Sequence, residues 1–134
     1  MAKIGLEGLD DFQRRLMRHE QAATEAIPEM LQAGADVLIE AEKAEIERYN
    51  LIDKHKMINS VRATKVKKKG ADSYVEVYPQ GKDAKGVRNA TKGFIAQYGR
   101  STQEAKPWHS DAIEKSSDEV RQAMAEKWAQ KTSE

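Results

Sequence analysis

Residues 58–79 read INSVRATKVKKKGADSYVEVYP, and this stretch decides the fold. Runs rich in β-branched residues lie on both sides of Gly70–Ala71–Asp72, which is typical of a β-hairpin closed by a short turn. Val61 and Ala63 do not share a face with Val66 when side chains alternate along a strand. We therefore predict an antiparallel hairpin with a bulge inside its first strand.

Upstream of the hairpin, apolar residues recur every three or four positions from Leu9 to about Tyr49. This period predicts one long amphipathic helix. Pro28 lies within the stripe and has no N–H to donate to the helical ladder. We expect a kink or break near Ala26–Ile27 for that reason.

Downstream of the hairpin, a second amphipathic stripe follows Pro107, a residue tolerated at the first position of a helix, and runs to Trp128. A polar loop over 80–92 and a short apolar turn, Phe94–Tyr98 stopped by Gly99, precede it. The order predicts an α+β fold, in which a long N-terminal amphipathic helix and a C-terminal helix pack on a small antiparallel sheet centred on a β-hairpin.

The length of 134 residues favours a single domain over 1–134, with 80–92 as a flexible loop and 130–134 as a disordered tail. Leu, Ile, Val and Phe number only 23, and small domains with so thin a core often bury apolar surface against copies of themselves. The absence of cysteine excludes a disulfide scaffold and cysteine-ligated zinc. No apolar run approaches the roughly 18 residues of a membrane span.

Charge is unevenly distributed behind a net value of +1. Residues 1–53 carry a net charge of −6, residues 54–106 carry +9, and residues 107–134 carry −2. Three interpretations fit this segregation: a nucleic-acid surface, an acidic helix lying over a basic sheet, or an acidic face of one subunit meeting a basic face of the next.

The sequence offers no constellation for catalysis. Its three histidines are scattered, and none has a second histidine or a carboxylate at the i, i+4 spacing of a helical metal site. His109 is interpreted as a helix-start residue that faces solvent or a neighbour. The solvated face of a surface helix accounts for four glutamates, Glu40, Glu42, Glu45 and Glu47. We predict a protein that is not an enzyme and has no catalytic residue, metal site or cofactor.

The strongest polar feature is a run of basic residues in the hairpin region, comprising Lys54, Lys56, Arg62, Lys65, Lys67, Lys68 and Lys69. Such a hairpin can lie along phosphates, although the run has no aromatic residue to stack on bases. Lysine on an exposed strand also prevents edge-to-edge pairing of sheets, and an acidic protein partner is a further reading. Trp108 and Trp128 are expected to fill core against the first helix, or Trp108 to anchor an interface.

Four motifs follow one another along the chain. Gly8–Phe12 leads into the long helix, Met57–Val61 starts the basic strand, Phe94–Ser101 reads FIAQYGRS, and Ala105–Trp108 precedes the last helix. This order resembles the small tail-completion or head–tail joining (neck) proteins of long-tailed bacteriophages. The chain departs from them where they often have Gly-x-Leu (here residues 55–57), and where Pro-Phe-Leu-x-Pro-Ala becomes Pro-Trp-His-Ser-Asp-Ala.

The resemblance implies a structural component of the virion neck or tail that assembles in the host cytoplasm. Its partners would be copies of itself in a ring, often a hexamer, together with the portal or connector and the tail-tube or tail-terminator proteins. DNA would be only a passing cargo, and no membrane or cofactor would be involved. The alternative is a small nucleic-acid-binding protein that uses the basic 54–69 hairpin.

Candidate interface residues follow from the basic stretches and from the motifs. The loop over 80–92 is expected to order on docking to an adjacent ring, and its basic residues could also face a lumen through which DNA passes. The candidates are Lys82, Lys85, Arg88, Lys92, Tyr98, Arg100, Trp108, Lys67, Lys68 and Lys69.

Overall fold

The computed structural model describes the backbone of residues 2–133 and the side chains of Arg14 and of residues 17–133. Helices and strands together confirm the predicted α+β class. In chain order they are α1 (Ala2–Tyr49), α2 (Lys54–Ser60), β1 (Val61–Ala63), β2 (Lys67–Lys69), β3 (Asp72–Tyr74), β4 (Val77–Pro79), α3 (Asn89–Tyr98) and α4 (Trp108–Thr132).

The long helix α1 is continuous through Pro28, so the predicted break near Ala26–Ile27 is wrong. Pro28 removes one hydrogen bond, and the carbonyl that loses its partner belongs to Thr24. Both residues are exposed, so solvent can replace that bond. Packing of α1 along α4 offsets the remaining cost.

Helices α1 and α4 lie antiparallel. Contacts at three levels fix their register: Glu29 Oε2 lies 2.7 Å from Lys131 Nζ, Gly34 faces Met124, and Glu45 Oε1 lies 2.8 Å from Lys115 Nζ. Because α4 continues to Thr132, it includes most of the 130–134 segment for which we expected disorder.

The end of α1 is set by Asn50, which has a positive φ of 51°. The Asn50 N–H donates to Glu47 O and the Leu51 N–H donates to Ile46 O, the pair of bonds that defines a Schellman motif. Ile46 and Leu51 are both buried. The apolar contact that usually accompanies this motif therefore becomes part of the core.

The hairpin forms two short antiparallel ladders. β1 pairs with β4 so that Val61 faces Pro79, and β2 pairs with β3 so that Lys67 faces Tyr74. Between the ladders, residues 64–66 oppose only residues 75–76, which confirms the predicted bulge in the first strand.

Two details of the predicted hairpin are wrong. The turn has two residues, with a positive φ of 63° at Gly70 followed by Ala71, as a type II′ turn requires. Residues 58–60 belong to α2 instead of the first strand. Helix α2 is favoured there because it places Met57 in the core at 1% exposure.

The core is formed where the short strands and α3 meet the C-terminal part of α1 and the beginning of α4. Its buried residues are Ala35, Ile46, Leu51, Met57, Val61, Val77, Ala96 and Trp108. Trp108 is 2% exposed, and its indole Nε1 donates to the carbonyl of Gly93, 2.9 Å away. A side chain at position 93 would meet the indole, since an added Cβ would lie 2.8 Å from Cζ2 of Trp108.

Gly93→Ala should lower the free energy of unfolding by about 1–3 kcal/mol, because overpacking against a rigid indole outweighs the better helix propensity of alanine. Gly34→Ala is the matched control in α1. Its added Cβ would meet Met124 Cγ at 2.8 Å, but the flexible methionine can move, so the loss should be smaller. Urea unfolding of both variants tests the difference. Equal losses would contradict the assigned contact.

Candidate docking surface

Helix α3 exposes an aromatic pair on its outer side. Its inner side is buried through Gly93, Ala96 and Gln97, whereas Phe94 and Tyr98 are 65% and 67% exposed. The two residues are four positions apart and therefore share one face of the helix. Their ring centroids are 4.8 Å apart. The helix thus holds two large apolar side chains against each other and in contact with solvent.

A groove of about 230 Å³ lies beside this aromatic pair. It continues into a shallower one that contains the exposed Ile113, and Tyr78 and His109 line both. We call the continuous area formed by these five residues the α3 surface: Phe94, Tyr98, Tyr78, His109 and Ile113. Aromatic side chains beside a concave, mostly apolar wall are typical of protein interfaces.

Gln97 fixes α3 to the beginning of α4. Its Oε1 accepts hydrogen bonds from the backbone N–H groups of His109 (2.9 Å) and Ser110 (3.1 Å), and its Nε2 donates to Ser110 Oγ (2.5 Å). Pro107, at the N-cap position of α4, supplies no side-chain cap. Gln97 therefore satisfies amides that the helix start leaves open. Sequence reasoning missed this role because the cap comes from another helix.

The backbone conformation at the end of α3 requires the glycine of the motif, Gly99. Gly99 has a positive φ of 74°, and an added Cβ would lie 2.8 Å from the backbone nitrogen of Ala105 and 2.9 Å from Gln103 O. Only glycine fits this turn without strain. The chain then returns along α3, where the Lys106 N–H donates to Ala96 O at 2.6 Å. Arg100 lies exposed on this return.

The loop after β4 is organised by Asp83. Its Oδ1 accepts from the backbone N–H groups of Lys85 and Val87, each at 2.9 Å, and its Oδ2 lies 2.6 Å from Lys92 Nζ. The hydrogen bond from Lys92, followed by that from Val87, lowers the pKa of Asp83 to about 2. Lys92 also pairs with Asp53 at 3.1 Å, and the hydrogen bond that Lys92 donates to Asp83 raises the pKa of Lys92.

Lys92 is thus a structural residue, engaged by two carboxylates, and its place at a partner interface stays a prediction. Lys82, Lys85 and Arg88 are exposed, and we call these three residues the basic loop. It ends earlier than the predicted 80–92 segment, because α3 begins at Asn89. Asp83, which gives the loop its shape, was not singled out from the sequence. An aspartate followed by a glycine three residues later is a common turn signal.

The remaining basic candidates lie apart from this loop. Lys67, Lys68 and Lys69 form β2 and are all exposed. Lys54 and Lys56 lie in α2, so the basic 54–69 segment is a helix followed by two strands, β1 and β2, and is not one hairpin. Lys67, Lys68 and Lys69 lie together in β2, as expected from the sequence. Lys54 and Lys56 were grouped with them but belong to α2.

Neither tryptophan joins the α3 surface as an exposed anchor. Trp108 is buried behind α3 and fills the core, the first of its two expected roles, and its part in an interface stays a prediction. Trp128 is 37% exposed near the end of α4, where it lines a shallow hollow with Ala23 and His19 of α1. It therefore packs only partly against the first helix.

A buried carboxylate lies directly beneath the α3 surface. Glu42 is 0% exposed, and its Oε1 lies 2.5 Å from Nδ1 of His109. Among the described residues its Oε2 has no hydrogen-bond partner. Burial raises the pKa of Glu42, and the contact with His109 opposes that shift. His109 thus links the α1–α4 interior to the exterior of the α3 surface.

A second buried glutamate, Glu45, lies one turn further along α1. Burial would raise the pKa of Glu45, but hydrogen bonds from Lys115 (2.8 Å) and Arg48 (2.7 Å) outweigh this effect and lower the pKa. Arg48 also reaches Asp111 at 2.9 Å, and Tyr49 donates to the same carboxylate. The predicted solvated face is therefore wrong for Glu42 and Glu45, and it holds only for Glu40 and Glu47, which are exposed.

The described part of the chain contains neither a cluster of metal-binding side chains nor a helix that could span a membrane. Among the described side chains, those of Arg14 and residues 17–133, no group of three or more His, Asp or Glu lies close enough to hold a metal ion. Within residues 2–133, no helix is long and apolar enough to span a bilayer.

An α+β chain with an exposed aromatic pair beside basic side chains has the surface features of proteins that bind other proteins. Comparison with protein families identifies the class of protein more closely. Residues 10–100 match the family described as "Bacteriophage HK97-gp10, putative tail-component", and the chain belongs to this family. It is therefore a structural component of a bacteriophage tail, as the sequence resemblance indicated. Comparisons with curated proteins and with solved structures gave no match.

Proposed function

We propose that this tail component joins the phage head to its tail, as a ring subunit between the portal or connector and the tail tube. The observation that carries the proposal is the aromatic pair of the α3 surface, Phe94 and Tyr98, each about two-thirds exposed. Exposed aromatic residues on a rigid helix are costly in water and are the usual anchors of protein interfaces. A protein of the joint needs such anchors, since it must bind structures already assembled on both sides.

A ring subunit binds its neighbours through two different faces, because head-to-tail contacts are not self-complementary. This subunit carries different chemistry on different sides. The α3 surface is aromatic, the basic loop of Lys82, Lys85 and Arg88 is cationic, and the outer side of α1 is acidic through Asp36 and Glu40. Distinct faces of this kind support closed rings and contacts to a second ring.

The basic loop lies close to the α3 surface, because Arg88 lines the groove that contains Ile113. We assign this loop to the contact with the adjacent ring of the joint. A cationic loop beside an aromatic anchor would select an acidic partner surface and set its orientation, which is what charge complementarity contributes at interfaces. DNA passes the joint as cargo, and a channel that bound it tightly would impede its passage.

The test is an add-back assay with separated heads and tails from a phage in which this reading frame is disrupted. Purified chain should restore infectious particles. The K82E/K85E/R88E variant should reduce the yield by at least about tenfold, because three reversed charges oppose docking, and its unfolding transition should be unchanged. R14E/R18E/R121E changes the charge by the same amount at exposed positions of α1 and α4 and is the matched control. Full activity of the loop variant would overturn the assignment of the loop.

A further inference from the structure

The hairpin made by β2 and β3 projects from the subunit. The two strands pair with each other through Lys67–Tyr74 and Lys69–Asp72, and every residue of β2 and of the turn is exposed. At roughly 3.3 Å per residue, the hairpin reaches up to about 20 Å beyond Ala63. We call residues 64–76 the basic arm. Val75 at the base of the arm packs against the core. Beyond it the arm is a two-stranded hairpin, which is marginally stable in water and would be stabilised by packing on a further surface.

The arm has more positive charge than protection of an exposed strand requires. Lys65, Lys67, Lys68 and Lys69 occupy four of five consecutive positions, whereas one charge is enough to prevent edge-to-edge pairing. Lys67 has a distant ion pair with Glu76 at 3.8 Å. Among the described side chains, no other ion pair engages an arm lysine.

A complementary surface runs along α1. At 100° per residue, Glu25, Glu29, Asp36 and Glu40 fall within about 60° of the helix circumference, and they span about 22 Å of its length. All four are exposed. Glu29 is paired with Lys131, and Glu40 has only a 3.8 Å contact with Lys43. We call these four residues the acidic stripe.

We propose that the basic arm of one copy docks on the acidic stripe of the next copy, which rests on the proposed ring assembly. The four arm lysines span about 13 Å, so they fit within the length of the stripe. Within one subunit, no ion pair joins an arm lysine to a stripe carboxylate among the described side chains. The arm and the stripe carboxylates other than Glu29, which pairs with Lys131, can therefore pair with a neighbour. The negative segment 1–53 and the positive segment 54–106 thereby neutralise each other between subunits.

Duplex DNA is the other polyanion that four lysines could contact. The second copy is favoured because the same chain carries a matching row of carboxylates at a matching length. A chain built only to coat DNA would have no use for that row, and its acidic helix would repel phosphates.

The test uses charge exchange in the add-back assay described above. Particles are joined with an equal mixture of ¹⁴N- and ¹⁵N-labelled chain and treated with a carbodiimide, which links amines to carboxylates in direct contact. Wild-type particles should yield mixed-isotope links between residues 67–69 and the acidic stripe. K67E/K68E/K69E should lower joining by at least about tenfold, and E25K/D36K/E40K should do the same. The chain that carries all six changes should regain joining and the links.

Three results would overturn the proposal. One is the absence of mixed-isotope links in joined wild-type particles, and another is failure of the six-fold variant to regain joining when it is folded by circular dichroism. The third is duplex-DNA binding that K67E/K68E/K69E abolishes while joining persists, which would assign the arm to phosphates. If wild-type chain itself fails to restore joining, the proposed function fails instead, so the two claims are tested separately.

Discussion

Replacing Phe94 and Tyr98 together by alanine should weaken head–tail joining by two to three orders of magnitude while leaving the subunit folded. Each ring is about two-thirds exposed, and a buried aromatic anchor at an interface contributes about 2 kcal/mol or more. Two such losses correspond to a roughly 100- to 1000-fold weaker interaction. The yield of infectious particles at limiting chain concentration measures the effect.

The stability of that variant should change by less than about 1 kcal/mol. It loses the contact between the two rings, which are 4.8 Å apart and contribute about 0.5–1.5 kcal/mol. It gains the higher helix propensity of two alanines, which offsets much of this loss. Met17→Ala is the control, because Met17 is also 67% exposed but lies far along α1. Joining that survives in F94A/Y98A would remove the α3 surface from the interface.

The second large effect concerns the buried pair of Glu42 and His109. His109→Ala should lower the free energy of unfolding by about 2 kcal/mol at pH 8, because it removes the one ion-pair partner that the wholly buried Glu42 has among the described side chains. The loss is smaller than the 3–5 kcal/mol typical of fully buried pairs because His109 is itself 39% exposed. In a Glu42→Gln background the same change should cost under about 1 kcal/mol.

The unfolding free energy that His109→Ala loses should be larger at high pH than at low pH. Burial raises the pKa of Glu42 above its ordinary value of 4.5. The folded chain therefore holds this proton more tightly than the unfolded chain, and the stabilising effect is complete below pH 4.5 and disappears as pH rises through the raised pKa. Removing His109 raises that pKa further. Urea unfolding should show that His109→Ala loses little unfolding free energy at pH 4.5 and loses the full amount at pH 8. A deficit that is independent of pH would show that His109 contributes only packing.

The parts of the fold that local chemistry dictates could be predicted. The hairpin follows from β-branched runs around Gly70, and its bulge follows from the mismatch in face between Ala63 and Val66. Both features depend on residues that lie close together in the chain. The long helices follow from a period of three to four residues that no other structure shares.

Helix α2 could not be predicted because it is too short to have its own period. Seven residues form fewer than two turns, and Ile58 within them favours a strand. Burial of Met57 decides in favour of the helix. At Pro28, likewise, packing of α1 against α4 overrides a local preference that predicts a break.

Motif and charge singled out exposed residues, whose part in an interface stays a prediction, and they missed the exposed Phe94 and the buried residues beneath it. Tyr98, Arg100 and the basic loop were identified from motif and charge. Glu42 and Glu45 were assigned to solvent by residue type, although their spacing after Leu38 continues the apolar stripe, which was a signal of burial. Gln97 gave no such signal, because its partners lie on α4 and only the folded chain brings them together.

Electron microscopy of particles made when this reading frame is disrupted tests most directly whether the protein joins heads to tails. A joining subunit acts after heads and tails are separately built. We therefore expect DNA-filled heads and full-length tails that lie apart, and purified chain should convert them to joined particles. Normally joined particles, or tails that fail to form at all, would contradict this expectation.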